Sequence, residues 1–152
     1  RKVWSLCAGL ALATVCTGPA AAQNSATEEA AGDILLKMLS GQSVVDGEDL
    51  RIVEEAASAY PLGSAENPVR AEMPQGQRAY LARLRCPDLT RPEFSRAGSA
   101  GLSPYGNIAD IYVVTCAGSD PESRRIYIDM YHRGHIETRA VEGYGIVSAI
   151  AE

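Results

Sequence analysis

Ile108-Ala109-Asp110-Ile111-Tyr112-Val113-Val114-Thr115-Cys116 and Arg124-Arg125-Ile126-Tyr127-Ile128-Asp129-Met130-Tyr131-His132 are the two stretches that decide the fold. Both are rich in β-branched residues and tyrosine, side chains that fit a pleated, half-buried surface. The segment between them, Ala117-Gly118-Ser119-Asp120-Pro121-Glu122-Ser123, is made of turn formers. The pattern predicts an antiparallel hairpin. In its second strand Ile126, Ile128, Met130 and His132 point one way, and Tyr127, Asp129 and Tyr131 the other, outward way.

Working outward, Arg133-Gly134 turns the chain and Ile136 to Val141 predicts a further strand. Upstream, Arg78 to Cys86 alternates: Tyr80, Ala82, Leu84 and Cys86 share one face, Leu81, Arg83 and Arg85 the other. This predicts a half-buried strand, with helix as the competing reading because Tyr80, Leu81 and Leu84 also fit a helical spacing. Pro61 to Gln77 and Pro87 to Gly106 are turn-rich, with short extended pieces near Val69 and Phe94. Nearer the N-terminus, Thr27 to Gly41 predicts a helix with Thr27 as cap, and Gly47 to Tyr60 a second one, capped by Asp46 and stopped by Pro61. The expected fold class is α+β: two N-terminal helices packed on an antiparallel sheet of roughly three to five strands.

The first 22 residues have the layout of a secretory signal peptide. Arg1-Lys2 is a positive end, Val3 to Val15 an apolar middle, and Ala20 and Ala22 the small residues of an A-x-A cleavage site, which makes Gln23 the new N-terminus. The apolar run of about 13 residues falls short of the roughly 20 that a spanning helix needs. A lipoprotein attached through Cys16 is the alternative, although Val15 before it is bulkier than a lipid-attachment motif prefers. The expected organisation is therefore a leader over 1–22, a flexible lead-in over 23–30 and one α+β domain over 31–152, periplasmic or secreted. No later segment is apolar enough to span a bilayer, so the processed chain is not expected to be an integral membrane protein.

Without Arg1 and Lys2, the 14 basic residues fall to 12 against 19 acidic ones, a net charge of −7. That balance lacks the basic footprint of a nucleic-acid binder. The charge is uneven: residues 23–66 are acidic, whereas 67–100 carry six arginines against Glu72, Asp88 and Glu93. An arginine-rich stretch of this kind either binds an anion or lies under the acidic segment, and solvated charge runs are the commoner case.

After the leader two cysteines remain, Cys86 and Cys116. In an oxidising compartment an even count predicts a disulfide, here one that stabilises the fold by ~3–4 kcal/mol on the chain-entropy estimate. A C-x-x-C spacing, which would favour redox or zinc chemistry, is missing from the pair.

Three groups of residues are candidate sites. His132, His135 and Glu137 carry zinc- or copper-ligating side chains, although their spacing matches no metal motif of known geometry. Tyr127 and Tyr131 flanking Asp129 would make an aromatic platform for a sugar, a peptide or a cation, and with His132 and His135 they form the densest polar cluster. The loops Ser103-Pro104-Tyr105-Gly106-Asn107 and Gly63-Ser64-Ala65-Glu66-Asn67-Pro68 are polar and directed by Gly and Pro, as binding loops are. There is no G-x-S-x-G nucleophile elbow and no phosphate-binding glycine loop, so no enzyme class and no cofactor is indicated.

Met73-Pro74 with Gln77 to Cys86, then Ser103-Pro104-Tyr105-Gly106, then Tyr127 to His132 resemble small exported bacterial proteins of unassigned function, over roughly residues 61–145. The resemblance implies a place in the cell envelope and brings no site residues. The expected function is that of an exported binding or accessory protein whose partner is an envelope protein or polymer. Metal binding through His132, His135 and Glu137 is the alternative.

Overall fold

The computed structural model describes residues 20–149. The apolar run read as part of a signal peptide, Val3 to Val15, and Cys16 lie outside the described residues. The fold is α+β: three helices, a mostly antiparallel five-stranded sheet and a two-stranded one among the described residues. In chain order the elements are α1 (Ala20–Leu39), α2 (Gly47–Ala57), β1 (Val69–Glu72), α3 (Met73–Arg83), β2 (Leu84–Arg85), β3 (Glu93–Leu102), β4 (Ile108–Thr115), β5 (Ser123–Asp129), β6 (Tyr131–Ile136) and β7 (Gly145–Ile146).

The β4–β5 hairpin forms where the sequence places it, with Ile111 opposite Tyr127 and Thr115 opposite Ser123. It is the centre of a sheet ordered β3-β4-β5-β1-β6. The short β1 lies parallel to β5 and antiparallel to β6, and so separates the two. The predicted continuous strand from Arg124 to His132 is thus two strands. The chain leaves β5 at Asp129, crosses β1 at Met130, whose carbonyl accepts from Met73 N at 2.7 Å, and restarts as β6. Residues 137–141, expected in a strand, are irregular.

The segment read as a strand from Arg78 is helical. Pro74 stands at the start of α3, where a missing N–H costs nothing, and Gln77, Tyr80 and Leu81 bury one face. Alternation and helical spacing coexist in this stretch, and packing decides between them. Tyr80, Leu81 and Leu84 join Val69, Tyr112, Val114, Ile126, Ile128 and Val141 in the core. Burial of each large apolar side chain contributes about 1.5–3 kcal/mol, more than the local strand preference of these residues.

α3 is therefore the helix packed on the sheet, in the place expected of α1 and α2. Leu35, Leu36 and Leu39 of α1 are exposed. α1 also begins well before Thr27, taking in residues 23–30, where a flexible lead-in is expected. Alanine, the best helix former, recurs through that stretch and needs no cap at Thr27 to propagate. α1 stops in a Schellman turn: Gln42 N donates to Lys37 O at 2.8 Å and Gly41 N to Met38 O at 3.0 Å. Gly41 takes φ +71 there, and a Cβ on it would stand 2.8 Å from Met73 Sδ. Asp46 precedes α2 in the cap position without a side-chain cap bond; its carboxylate instead meets Lys37 Nζ at 3.2 Å.

The disulfide between Cys86 and Cys116 is present, with Cα atoms 5.7 Å apart. It ties the end of β2 to the turn end of the β4–β5 hairpin. Among the described residues no helix is long and apolar enough to cross a membrane.

Candidate functional site

The open end of the β4–β5 hairpin, opposite the disulfide, carries the densest buried polar group among the described residues. Its hub is Asp129, 0 % exposed. Asp129 Oδ2 accepts from Ser103 Oγ at 2.6 Å and Asn107 Nδ2 at 3.0 Å, and Oδ1 accepts from Tyr131 N at 3.0 Å. Burial works to raise the carboxyl's pKa. His132, Ser103 and the Tyr131 amide outweigh it, and the group ionises below the ordinary aspartate range.

The donors come from the β3–β4 loop. Gly106 at φ +75 lets residues 103–107 close a tight turn, with Ser103 N donating to Asn107 O at 2.7 Å and Gly106 N to Ser103 O at 3.0 Å. The turn aims Ser103 and Asn107 inward together. Asn107 also accepts from Val44 N at 2.9 Å and donates to Ser43 Oγ at 3.1 Å, so it bolts the α1–α2 connection onto Asp129. Tyr105, on the same turn, packs edge-on against the His132 ring at 4.8 Å between centroids. The Arg70 guanidinium, from β1, sits 5.9 Å above the Tyr105 ring and is hydrogen-bonded to Glu54 of α2.

His132 and His135 both belong to β6, with ring centroids 6.5 Å apart. Each has a buried carboxylate beyond its Nε2. Asp129 Oδ2 lies 3.4 Å from His132, and Glu137 Oε2 lies 3.8 Å from His135, neither in hydrogen-bonding geometry. Glu137 is also gripped by Arg139, which donates from its backbone N and from Nε to Oε1 and from Nη2 to Oε2, all at 3.0 Å. Burial works to raise the Glu137 pKa, but the nearby His135 and the bonds from Arg139 hold it far below the ordinary glutamate range.

Both imidazoles line a cleft of about 430 Å³ between β6 and the α1–α2 connection, with Lys37, Ser43, Arg70 and Arg133 also on its walls. That volume falls within the range of small-molecule sites.

The sequence-selected residues are brought together in part. Asp129, His132 and His135 belong to this one region, Asp129 behind the cleft wall. The aromatic platform does not form, because Tyr127 is on β5 and Tyr131 on β6 with β1 between them, and Asp129 is enclosed. His132 is buried as expected, but against Tyr105 and Asp129 rather than beside Ile128. His135 and Glu137 approach each other while His132 turns to Asp129, and among the described residues no three His, Cys, Asp or Glu side chains gather in position to hold a metal ion. Ser103 and Asp129 do not form a hydrolytic triad with His132, since the serine donates to the carboxylate and not to the imidazole. Arg70 and Glu54 escape sequence reasoning altogether; the unequal charge of the two segments that hold them was their one signal.

Compared with known proteins, the chain matches no protein family, no curated protein and no solved structure.

Proposed function

We propose that this protein is a small exported binding or accessory protein of the bacterial cell envelope, and that it holds its ligand in the cleft beneath His132 and His135. The observation that carries the reading is the built character of that wall. A buried histidine and a half-buried one each face a carboxylate, Arg70 is bonded to Glu54, and the 103–107 loop against them is fixed by bonds to Asp129. Fold stability alone does not call for two imidazoles on one concave surface, whereas a rigid, preformed cleft suits recognition. The Cys86–Cys116 bond is compatible with an oxidising compartment.

The test is to express the chain with its own leader in a bacterium, isolate the envelope fraction and record native and denaturing mass spectra. Gln23 at the N-terminus, two protons lost to the disulfide and a molecule released on denaturation support the reading. A chain that stays in the cytosol with residues 1–22 attached overturns export. A protein that neither carries nor takes up any molecule at the cleft overturns the binding role.

Metal binding through His132, His135 and Glu137 is the second reading, favoured by the two neighbouring imidazoles whose Nε2 atoms lack a hydrogen-bond partner. Stoichiometric uptake of zinc or copper in equilibrium dialysis, lost in His135→Ala, would support it; protein that stays metal-free at saturating metal would end it.

A further inference from the structure

The chemistry of the ligand follows from which groups around the cleft are already satisfied. Every carboxylate near it is engaged. Asp46 faces Lys37, Glu54 faces Arg70, Glu137 is chelated by Arg139, and Asp129 is surrounded by Ser103, Asn107 and the Tyr131 amide. Each of these carboxylates already faces a cation or a set of donors. The donors are a different matter. Arg133 lines the cleft, is exposed and makes no ion pair or hydrogen bond among the described residues. Ser43 Oγ accepts from Asn107, which leaves its own proton to donate. His132 and His135 also line the cleft, and the Nε2 of neither ring has a hydrogen-bond partner among the described residues. The lining thus has donors in surplus, while the chain carries net negative charge.

We propose that the cleft is an oxyanion site: it takes the carboxylate or phosphate group of a small ligand, with Arg133 and the imidazoles of His132 and His135 as donors and Ser43 beside them. The proposal rests on the binding reading and specifies its ligand class. Arg133 supplies the planar fork suited to two oxygens of one anion, and its exposed position at the rim lets it close on a ligand without breaking an existing pair. Arg70 and Lys37 add positive potential from the walls while staying bonded to Glu54 and Asp46. A divalent cation would meet the same three positive side chains, and the one carboxylate on the lining, Asp46, already faces Lys37.

Titration of the oxidised protein with inorganic phosphate and, separately, with acetate at constant ionic strength, followed by amide NMR, tests this. Saturable shifts centred on residues 132–135 and on Ser43 are expected with at least one anion, and the stronger of the two names the source chemistry. Arg133→Gln, at an exposed position that leaves the fold intact, should weaken binding about tenfold, the scale of one lost charge-assisted hydrogen bond. His135→Gln should weaken it as well, and Arg91→Gln, remote from the cleft, should leave it unchanged. Absence of saturable shifts with both anions, or shifts indifferent to Arg133→Gln and His135→Gln, overturns the oxyanion site. If anions fail while the purified protein carries a neutral or cationic molecule at the cleft, the ligand class falls and the binding role stands. If anions fail and no molecule binds, both fall.

Discussion

The two ends of the β4–β5 hairpin are closed in different ways. At the turn end Cys86–Cys116 makes a covalent link, backed by Tyr144, whose hydroxyl donates to Val114 O at 3.2 Å. At the open end the closure is made by the Asp129 carboxylate, which draws in Ser103, Asn107 and, through Asn107, the Ser43–Val44 connection. A disulfide acts mainly by restricting the unfolded chain, and it does not require neighbouring side chains to be placed well. A buried carboxylate stabilises only when each of its donors is in place, and it costs heavily when they are not. The end that needs accurate placement is the end where the cleft and the histidines are. The covalent end carries no comparable polar cluster.

The comparison can be broken most severely at Asp129. Asp129→Ala leaves Ser103, Asn107 and the Tyr131 amide without their acceptor, and should cost about 3–5 kcal/mol, a large part of a small domain's stability. Urea unfolding of the oxidised protein measures it; a loss below about 1 kcal/mol would mean that the network is dispensable.

Reducing Cys86–Cys116 should cost ~3–4 kcal/mol, seen as a lower melting temperature. Hydrogen exchange then sharpens the contrast: amides around residues 86–90 and 116–122 should lose protection first, with Asn107 and Tyr131 the last to follow. A uniform loss would show that the two ends are one cooperative unit.

Asn107→Ala removes one donor and the bolt to Val44, with an expected cost of about 1–3 kcal/mol. It should loosen the α1–α2 connection and with it the cleft wall, so Val44 and Ser43 should exchange faster than in the parent protein.

Acid should weaken the open end. Asp129 and Glu137 both ionise at lower pH in the folded protein than in an unfolded chain. The unfolded state therefore binds more protons wherever the two differ, and their contribution is fully present above the ordinary carboxylate range near pH 4 and declines as pH falls below it. Stability measured from pH 6 down to pH 2 should drop, and the drop should be smaller in Glu137→Gln. An identical slope in that variant would remove Glu137 from the account.

The smallest effect is expected at the covalent end. Tyr144→Phe deletes one hydrogen bond to Val114 and should cost about 1 kcal/mol.

The hairpin, the second helix and the cysteine pair were legible in the chain because each rests on local pattern: β-branched alternation around a turn, an acidic helix start with a proline stop, an even count of thiols. The stretch at Arg78 shows where pattern runs out. Its residues satisfy two periods at once, and the choice fell to the burial of Tyr80, Leu81 and Leu84 against strands remote in sequence. The candidate site was legible by parts. Asp129, His132, His135 and the 103–107 loop were each visible as polar groups in unusual places, yet the alternation that put Asp129 on an open face with Tyr127 and Tyr131 failed, because β1 inserts between β5 and β6 and the loop covers the carboxylate.

By itself, then, the sequence determined the local elements whose cause is local: the turn chemistry, the strand-forming runs and Cys86 and Cys116 as a disulfide pair. Tertiary structure alone decided which helix covers the sheet, which carboxylate is enclosed, and that Arg133 and two imidazoles share one cleft. Those outcomes depend on contacts between residues tens of positions apart, such as Asn107 with Ser43 and Ser103 with Asp129, and no short-range periodicity carries information about them.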